Sequence, residues 1–274
     1  MKIKQALCNR QGIEVFAESD SSQGEFDYTF FNSLYNAEEK NFWFKGRREA
    51  IFQIIKKFIL GYKNKKMLEV GCGGGNIINF LKNKGINIEG ADVFFEGLQF
   101  ARKRVNTNFY QINIKDIPFE NEFDIIGIFD VLEHIQEEDK ILVNLYKALK
   151  PEGYLFVAVP ALPYLWSYFD EIAFHKRRYN KNEFINKLKN HGFSIIKATY
   201  LFMFLLPVMV LKRKVRLGRL SNQPIDLLKQ ELSLNPILDA IFYQLIRLES
   251  RLIPFLSLPL GSSLLILAKK DNDS

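Results

Sequence analysis

Apolar residues along this chain follow two alternating patterns, short continuous runs and longer stretches with helical spacing. The continuous runs predict strands over 66–70, 87–91, 109–112, 123–129 and 154–159. The intervening stretches predict helices over about 46–60, 76–84, 96–105 and 137–149. The run FDIIGIF, from Phe123 to Phe129, is apolar throughout, which is typical of a parallel strand buried on both faces. Because strands and helices alternate, the pattern predicts an α/β fold with a mostly parallel sheet.

The second half of the chain continues this pattern after a turn predicted at Pro151–Gly153 and a loop predicted after Pro160. Asn180 precedes a helical stretch, and Glu183 follows three residues later, which predicts a capping box with Asn in the place of Ser or Thr. Further apolar runs predict strands over 194–201 and 263–269. An additional loop is predicted from Glu18 to Gly24.

The segment 202–261 departs from the alternation. The stretch from Ala198 to Leu211 is almost wholly apolar but contains Pro207. Five basic residues follow at once: Lys212, Arg213, Lys214, Arg216 and Arg219. A helix predicted from Pro236 then carries one apolar stripe, formed by Ile237, Ile241, Leu245, Leu248 and Leu252. This segment fits an interfacial membrane element, which we favour, or a helical cap over a hydrophobic substrate, or a dimer face.

Composition narrows the class of protein without naming a function. The 274 residues include 38 Lys and Arg against 31 Asp and Glu, a net charge of +7 that does not by itself indicate nucleic acid. Two cysteines exclude a disulfide framework and a Cys-ligated zinc site, and we predict no metal site. Neither a signal peptide nor a membrane span is expected from the apolar runs. We therefore expect a cytoplasmic protein, peripheral on the inner membrane face.

The segment LEVGCGGGN, residues 68–76, is a glycine-rich turn between a strand and a helix. Gly71 and Gly73 let a ligand approach the main chain at the carboxyl end of the strand. Asp92 ends the next strand, where an acidic side chain hydrogen-bonds the ribose hydroxyls of a nucleoside cofactor. The turn does not match the dinucleotide-binding fingerprint, because Asn76 stands where that motif has its third glycine. It does not match a phosphate-binding loop either, because the sequence G-K-[ST] is absent. Glu69 repels phosphates and favours an ammonium or sulfonium group, so we predict a cationic cofactor with a ribose.

The chain resembles the class I S-adenosylmethionine-dependent methyltransferases of the small-molecule type. The resemblance rests on LEVGCGGGN (68–76), IEGADV (88–93), FDIIGIFDVLEHI (123–135) and LKPEGYLFVAVP (149–160), in the order and spacing of that family. It implies a Rossmann-like sheet of seven strands, the last inserted antiparallel between the fifth and sixth. It also implies three parts: an N-terminal extension over 1–45, a methyltransferase domain over 46–201 and 262–270, and a helical insertion over 202–261.

The same resemblance assigns the cofactor residues for S-adenosylmethionine. Glu69, Gly71 and Gly73 are expected to hold the methionine part and Asp92 the ribose, and Cys72 and Val93 are further cofactor-binding residues. Phe129 and Asp130 are expected to flank the methyl group. Family members often carry Asp at the position of Asn113 to contact the adenine amino group, and the carbonyl of Asn can accept from the same donor.

Candidate residues for the acceptor side are His134, His175 and Tyr179 for catalysis, and Arg177, Arg178 and Trp43 for substrate binding. Each histidine can serve as a base, and the arginines suit an acidic substrate. The structural alternatives are a loop cap for His134, an ordinary loop residue for His175, a solvated basic turn for the arginines and a helix staple for Tyr179. Trp43, with Phe44 and Arg47, fits either a lid or a hydrophobic anchor.

These observations favour a methyltransferase acting on a lipid-like or lipid-linked acceptor, such as a glycan or isoprenoid intermediate. Quinone or other aromatic O- or C-methylation is the second hypothesis, since an apolar cap serves it equally well. The third is a catalytically idle, membrane-associated scaffold with the same fold. We expect no nucleic-acid partner, and the sequence leaves the oligomeric state open.

Overall fold

The computed structural model describes residues 5–17, 28–215 and 235–271. The loop predicted over Glu18–Gly24 lies outside these residues, as do Arg216 and Arg219. One sheet runs through the molecule in the order β1-β2-β5-β4-β3-β6-β7-β9-β8. Its strands are β1 (Cys8–Arg10), β2 (Ile13–Val15), β3 (Lys66–Val70), β4 (Asn87–Asp92), β5 (Phe109–Gln111), β6 (Phe123–Phe129), β7 (Leu149–Pro160), β8 (Phe193–Leu201) and β9 (Ser263–Lys270).

The seven strands from β5 to β8 form the predicted Rossmann-like sheet. Neighbours from β5 through β7 are all parallel. Strand β9 lies antiparallel between β7 and β8, with Ile266 opposite both Val157 and Ala198. The α/β class and the inserted last strand are therefore confirmed.

Two further strands at one edge make the sheet nine-stranded rather than seven-stranded. β1 and β2 form a hairpin whose turn residues, Gln11 and Gly12, both have positive φ, as a tight two-residue hairpin turn requires. β2 then pairs in parallel with β5. Each of these strands is three residues long, too short to show a period in the sequence.

Helices cover both faces of the sheet. They are α1 (Tyr28–Lys40), α2 (Phe42–Phe58), α3 (Asn76–Asn83), α4 (Phe95–Arg104), α5 (Glu138–Ala148), α6 (Tyr168–Ile172), α7 (Lys181–Asn190), α8 (Leu206–Val215) and α9 (Pro236–Leu252). Short 3-10 turns lie at Tyr62–Asn64, Ile114–Asp116, Leu132–His134 and Pro163–Leu165. None of the described helices is both long and apolar enough to cross a membrane.

Four local predictions need correction. Helix α2 begins at Phe42 rather than near residue 46, because the side chain of Asn41 caps it by accepting from the N–H of Trp43 at 2.9 Å. The predicted turn at Pro151–Gly153 is an irregular part of β7, whose register with β6 shifts between Phe123 and Ile125. The loop predicted after Pro160 contains α6, which Ser167 and Asp170 begin with a reciprocal capping box. At Asn180 the cap is present, but its side chain accepts from the N–H of Asn182 rather than from that of Glu183, so the predicted box with Glu183 does not form.

Helix α9 packs against α2 and so lies over the carboxyl ends of the strands. Gly46 of α2 faces Ile246 of α9, and a Cβ on Gly46 would lie 2.2 Å from the Cγ2 of that isoleucine. Close approach of the two helices therefore depends on the absence of a side chain. The indole of Trp43 stacks on Phe202 with ring centroids 3.7 Å apart.

Candidate active site

One pocket of about 540 Å³ opens at the carboxyl ends of β3, β6 and β7, a volume in the range usual for small-molecule sites. We call it the central pocket. The sheet contributes Glu69, the turn from Gly71 to Gly73, Phe129, Asp130 and Pro160. Helices α1, α2, α6, α8 and α9 close its sides. In an open parallel sheet this is the edge at which ligands bind.

The glycine turn leaves its backbone open to the central pocket. Gly71 has φ +76° and Gly73 φ +48°, a region that residues with a side chain rarely adopt. A Cβ on Gly71 would come within 2.2 Å of Val131, whereas a Cβ on Gly73 would meet nothing within 4 Å. Gly73 therefore faces free space that a ligand can occupy. Cys72 lies between them, buried at the pocket wall.

Asp92 holds this turn in place through hydrogen bonds to backbone N–H groups. One carboxylate oxygen accepts from the N–H of Gly73 at 2.8 Å, and the other accepts from the N–H of Phe94 at 3.0 Å. Burial raises the pKa of Asp92, and these hydrogen bonds oppose that rise. Each oxygen keeps capacity to accept a further hydrogen bond, as a ribose hydroxyl would require.

Glu69 and Arg47 place an acidic and a basic group in the same pocket wall. Burial raises the pKa of Glu69 well above its ordinary value, and Arg47 opposes that rise. Among the described residues, the Glu69 Oε2 atom has no hydrogen-bond partner, and neither does the Arg47 Nε atom. Arg47 also forms an ion pair with Asp130 at the end of β6. A buried carboxylate and a buried guanidinium that still lack bonds suit the ammonium and carboxylate of an amino-acid moiety.

A second polar cluster surrounds His175. Its Nδ1 atom lies 3.0 Å from Asp170 Oδ1, and the Arg178 guanidinium lies 2.7 Å from the same oxygen. Burial alone would raise the pKa of Asp170, but the hydrogen bond with His175 and the charge of Arg178 lower it to about 2. An ionised Asp170 keeps the proton of His175 on Nδ1, so that Nε2 is left as an acceptor. His175 and Arg178 both line the central pocket.

Glu133 completes this cluster from the end of β6. Its side chain is fully buried, and neither carboxylate oxygen has a hydrogen-bond partner among the described residues. Its Oε1 lies 3.9 Å from His175 Nε2. Burial raises the pKa of Glu133 to about 8. Ligand atoms of Glu133, His134 and His175 lie within 4.8 Å of one another, so these three side chains could hold a metal ion, although the sequence predicts none.

Several residues proposed from sequence lie outside the pocket lining: Asp92, Val93, Asn113, His134, Arg177 and Tyr179. Burial and the neighbouring His175 lower the pKa of His134 to about 4. The Tyr179 hydroxyl donates to Glu138, and Arg177 lies 2.9 Å from the same carboxylate. These bonds fix the start of α7 against α5, which matches the staple interpretation of Tyr179.

Asn113 and Val93, the other two residues outside the pocket lining, form hydrogen bonds with nearby residues. Asn113 caps the short turn at Ile114–Asp116 by accepting from the N–H of Lys115 at 2.9 Å, and the carbonyl of Val93 accepts from Gln111 at 3.1 Å. Both lie beside β5, at the adenine and ribose end expected from the family. The pocket lining does contain Trp43, Glu69, Gly71, Cys72, Gly73, Phe129, Asp130, His175 and Arg178.

Sequence reasoning missed Glu133 and Asp170. Glu133 stands beside His134 in the segment VLEHI, and Asp170 stands five residues before His175. Neither residue belongs to a sequence motif that marks it as functional. The sequence did offer one indication of Asp170, because a carboxylate shortly before a histidine can orient the imidazole.

Comparisons with known proteins agree with this geometry. The family model described as "Methyltransferase domain" matches residues 43–198. The ubiquinone biosynthesis O-methyltransferase of Hydrogenovibrio crunogenus is 33% identical over 111 residues, 38% of this chain and 46% of that protein. The chain thus spans about half the length of the curated relatives it matches.

Two solved structures share the fold. Phosphoethanolamine N-methyltransferase 2 of Haemonchus contortus, in complex with S-adenosyl-L-methionine, matches with a TM-score of 0.60 at 18% identity, over 92% of this chain and 59% of that one. The cyclase SpnF matches with a TM-score of 0.61 at 16% identity, over 96% of this chain and 100% of that one. With the family model covering more than half of the residues, this chain belongs to the class I S-adenosylmethionine-dependent methyltransferases.

Proposed function

We propose that the protein transfers a methyl group to a lipid-like or lipid-linked acceptor bound in the central pocket. The observation that carries this proposal is the apolar wall opposite the glycine turn. Helices α8 and α9 and the residue before α8 supply that wall through Leu205, Val208, Met209, Leu238 and Phe242. An apolar acceptor is stabilised there by burial at about 25 cal/mol per Å² removed from water. Such an acceptor also places the enzyme at the inner face of the membrane, as a peripheral protein.

The residues around the glycine turn fit S-adenosylmethionine. We propose that Glu69 binds its ammonium group, Arg47 its carboxylate and Asp92 its ribose hydroxyls, with Gly71 and Gly73 giving room for close approach. Cys72 and Val93 would contact it through the same turn and strand end, and Asn113 would accept from the adenine amino group. When bound, the cofactor supplies a methyl group activated by a sulfonium leaving group.

The chain must align the acceptor and receive its proton. Alignment alone is worth about 7–11 kcal/mol when two reactants are held in line. Phe129 and Asp130 lie at the end of β6, between the glycine turn and the His175 cluster. His175 is the base that the geometry favours for a hydroxyl acceptor, because its Nε2 atom accepts while Asp170 holds Nδ1. Arg178 holds Asp170 in place and is available to an acidic group of the acceptor.

Quinone or aromatic methylation is the second candidate. It is supported by the ubiquinone O-methyltransferase relatives and by the aromatic residues of the pocket wall: Phe42, Trp43, Phe44, Phe169 and Phe242. An idle scaffold is disfavoured because the unbonded buried atoms of Glu69 and Arg47 have no structural use in a protein that binds no cofactor.

We propose the following division of the chain: an extension over 1–45, the catalytic domain over 46–201 and 262–270, and a cap over 202–261. In this division the cap supplies the apolar wall, and the catalytic domain supplies the cofactor residues. The basic residues Lys212, Arg213 and Lys214 belong to the cap, but their side chains lie outside the described part of the chain.

The test combines calorimetry with a methyl-transfer screen. We expect micromolar binding of S-adenosylmethionine that Asp92→Ala abolishes, whereas Asp139→Ala, at an exposed position, keeps it. Labelled S-adenosylmethionine is then offered with a membrane lipid extract and, separately, with a soluble catechol. Label in a lipid without an aromatic or quinone ring supports the first candidate, and label in a quinone precursor of the extract or in the catechol supports the second. Absence of cofactor binding by folded protein contradicts both.

A further inference from the structure

We propose that the outer face of residues 204–211, α9 and the 253–260 loop is a docking surface for anionic lipid, and that the acceptor enters the central pocket through it. We call this surface the apolar face. The acceptor in this proposal is the one named in the proposed function, but the surface itself is inferred from different residues. Its exposed side chains are Phe204, Val208, Leu211, Ile237, Leu238, Ile241, Leu245, Leu248, Phe255, Leu256 and Leu260.

The first argument is how the apolar side chains are exposed. Ile237 is 71% exposed, Phe255 72% and Leu211 65%. A surface helix of a globular domain normally buries its apolar stripe and shows water its polar side. On α9, Ile246 packs inward, but five other large apolar residues are exposed while Glu249 and Ser250 are buried: Ile237, Leu238, Ile241, Leu245 and Leu248. A contiguous apolar surface of this kind marks an interaction site.

The second argument is charge. Both acidic residues of α9 are held inward: Asp239 accepts from the N–H of Phe42 and pairs with Lys45, and Glu249 accepts from the N–H groups of Met203 and Phe204. The charged residues left on the outward arc are Arg247 and Arg251, both exposed. The apolar face therefore carries positive charge at its flank and no exposed carboxylate along α9.

Cations also flank the loop that follows α9. Lys57 Nζ lies 5.0 Å from the ring centre of Phe255, and Lys197 Nζ lies 3.0 Å from the carbonyl of Leu256. A cationic rim around an apolar surface is the arrangement that binds the headgroups and acyl chains of anionic lipid.

This charge distribution argues for lipid over a second copy of the chain. A two-fold symmetric contact would place each apolar face against an identical one and bring like charges of the two rims together. Like charges across an interface are unfavourable, whereas an anionic membrane complements them.

The third argument is continuity with the central pocket. Val208 and Leu238 are nearly half exposed on the apolar face, and both also line the pocket. Helices α8 and α9 therefore join the pocket wall to the surface proposed to lie on lipid, and we place the entrance for the acceptor between them. An acceptor dissolved in the membrane can reach His175 without crossing water.

The experiment is vesicle flotation of the whole chain without added cofactor, with vesicles of phosphatidylcholine alone or mixed with phosphatidylglycerol. We expect binding to the mixed vesicles and at least tenfold weaker binding to phosphatidylcholine. A triple variant, Ile237→Ser, Leu248→Ser and Phe255→Ser, should lose at least tenfold in affinity. Leu60→Ser, at a 93% exposed position outside the apolar face, is the matched control and should bind as the wild type does. Arg247→Glu with Arg251→Glu should also weaken binding, and more so at low salt.

Calorimetry with S-adenosylmethionine separates this proposal from the proposed function. The triple variant should keep cofactor affinity, since its three positions do not line the pocket. Wild-type protein that binds cofactor but no vesicle overturns the docking surface alone. Vesicle binding that the triple variant retains overturns it too. A wild-type dimer in sedimentation that the triple variant converts to monomer assigns the face to a second copy instead.

Discussion

Asp170 accepts one hydrogen bond from His175 and one charged contact from Arg178 at the same oxygen atom, Oδ1. A carboxylate shared in this way is held in one orientation, and it holds the imidazole in one tautomer. His175 therefore reaches the pocket with Nε2 free to accept a proton, a state that the sequence position of the histidine alone does not determine.

We predict that Asp170→Asn removes this tautomer preference. Nitrogen-15 NMR of the three histidines should show His175 protonated on Nδ1 in the wild type and a mixture of tautomers in the variant. With the lipid-extract acceptor, the methyl-transfer rate should fall about 10²-fold, the lower range for loss of a positioned base, while cofactor affinity stays unchanged. Glu171→Gln, at the next and exposed position, is the control. An unchanged spectrum and rate would show that Asp170 serves only to cap α6.

Gly73→Ala should weaken cofactor binding without disrupting the fold. The new Cβ has open space around it but stands in the volume left for the ligand. Gly61 offers a matched control, since its φ is +65° and a Cβ there also meets nothing within 4 Å. Both variants should lose about 1 kcal/mol of stability through their positive φ. Only Gly73→Ala should lower the calorimetric affinity for S-adenosylmethionine, by tenfold or more. Equal affinities in the two variants would place the cofactor elsewhere.

Glu133 makes the protein less stable as the pH rises toward 8. Its pKa is about 8 in the folded state against an ordinary 4.5, so in this range the folded chain keeps a proton that the unfolded chain has lost. The free energy of unfolding therefore falls with pH. His134 acts in the opposite direction, but only between its folded pKa of about 4 and its ordinary 6.5. Glu69 acts in the same direction as Glu133.

Urea unfolding between pH 6.5 and 8 tests this account. At about 1.4 kcal/mol per proton per pH unit, Glu133 contributes a loss of about 2 kcal/mol over the range. Glu133→Gln should remove that share of the slope. The two proteins would instead run parallel if Glu133 were already ionised in the folded state at pH 6.5.

The contact between Gly46 and Ile246 predicts that Gly46→Ala lowers stability when Ile246 is present but not when it is replaced by alanine. Gly46→Ala alone should destabilise the protein by about 1–3 kcal/mol, because the added methyl group overpacks α2 against α9. In an Ile246→Ala background the clash is gone, and the same substitution should be neutral or stabilising by up to about 1 kcal/mol, the helix preference of Ala over Gly. Thermal unfolding of the four proteins in this cycle measures the coupling. Additive effects would mean that α9 does not lie directly against Gly46.

The core of the fold was predictable because its strands are buried on both faces and therefore read as continuous apolar runs, as with FDIIGIF in β6. The hairpin of β1 and β2 was not predictable, since six residues in two short strands carry no period. The sequence predicts a turn at Pro151 and Gly153 because both residue types are common in turns, whereas the structure includes them in β7, at the register shift between the pairs Phe123–Leu149 and Ile125–Tyr154.

The candidate site also has residues that the sequence predicts and residues that only the tertiary structure brings together. Glu69, Gly71, Gly73 and Asp92 belong to local motifs whose chemistry follows from adjacent residues. The cluster of Glu133, Asp170 and His175 joins the end of β6 to a helix beyond β7, so only the tertiary structure brings it together. Tyr179 illustrates the reverse case, since its polar hydroxyl suggests chemistry but is used to hold Glu138.

The position of β9 has a consequence for synthesis of the chain. This strand fills the gap between β7 and β8, yet it follows β8 by the 61 residues from 202 to 262. At roughly 5–20 residues per second, a ribosome needs about 3–12 s to make that stretch. During this time the facing edges of β7 and β8 have no strand between them, and unpaired edges invite association with other chains. Completion of the sheet must therefore wait for the residues of β9, and a nascent chain paused within 202–262 is the form of this protein most exposed to aggregation.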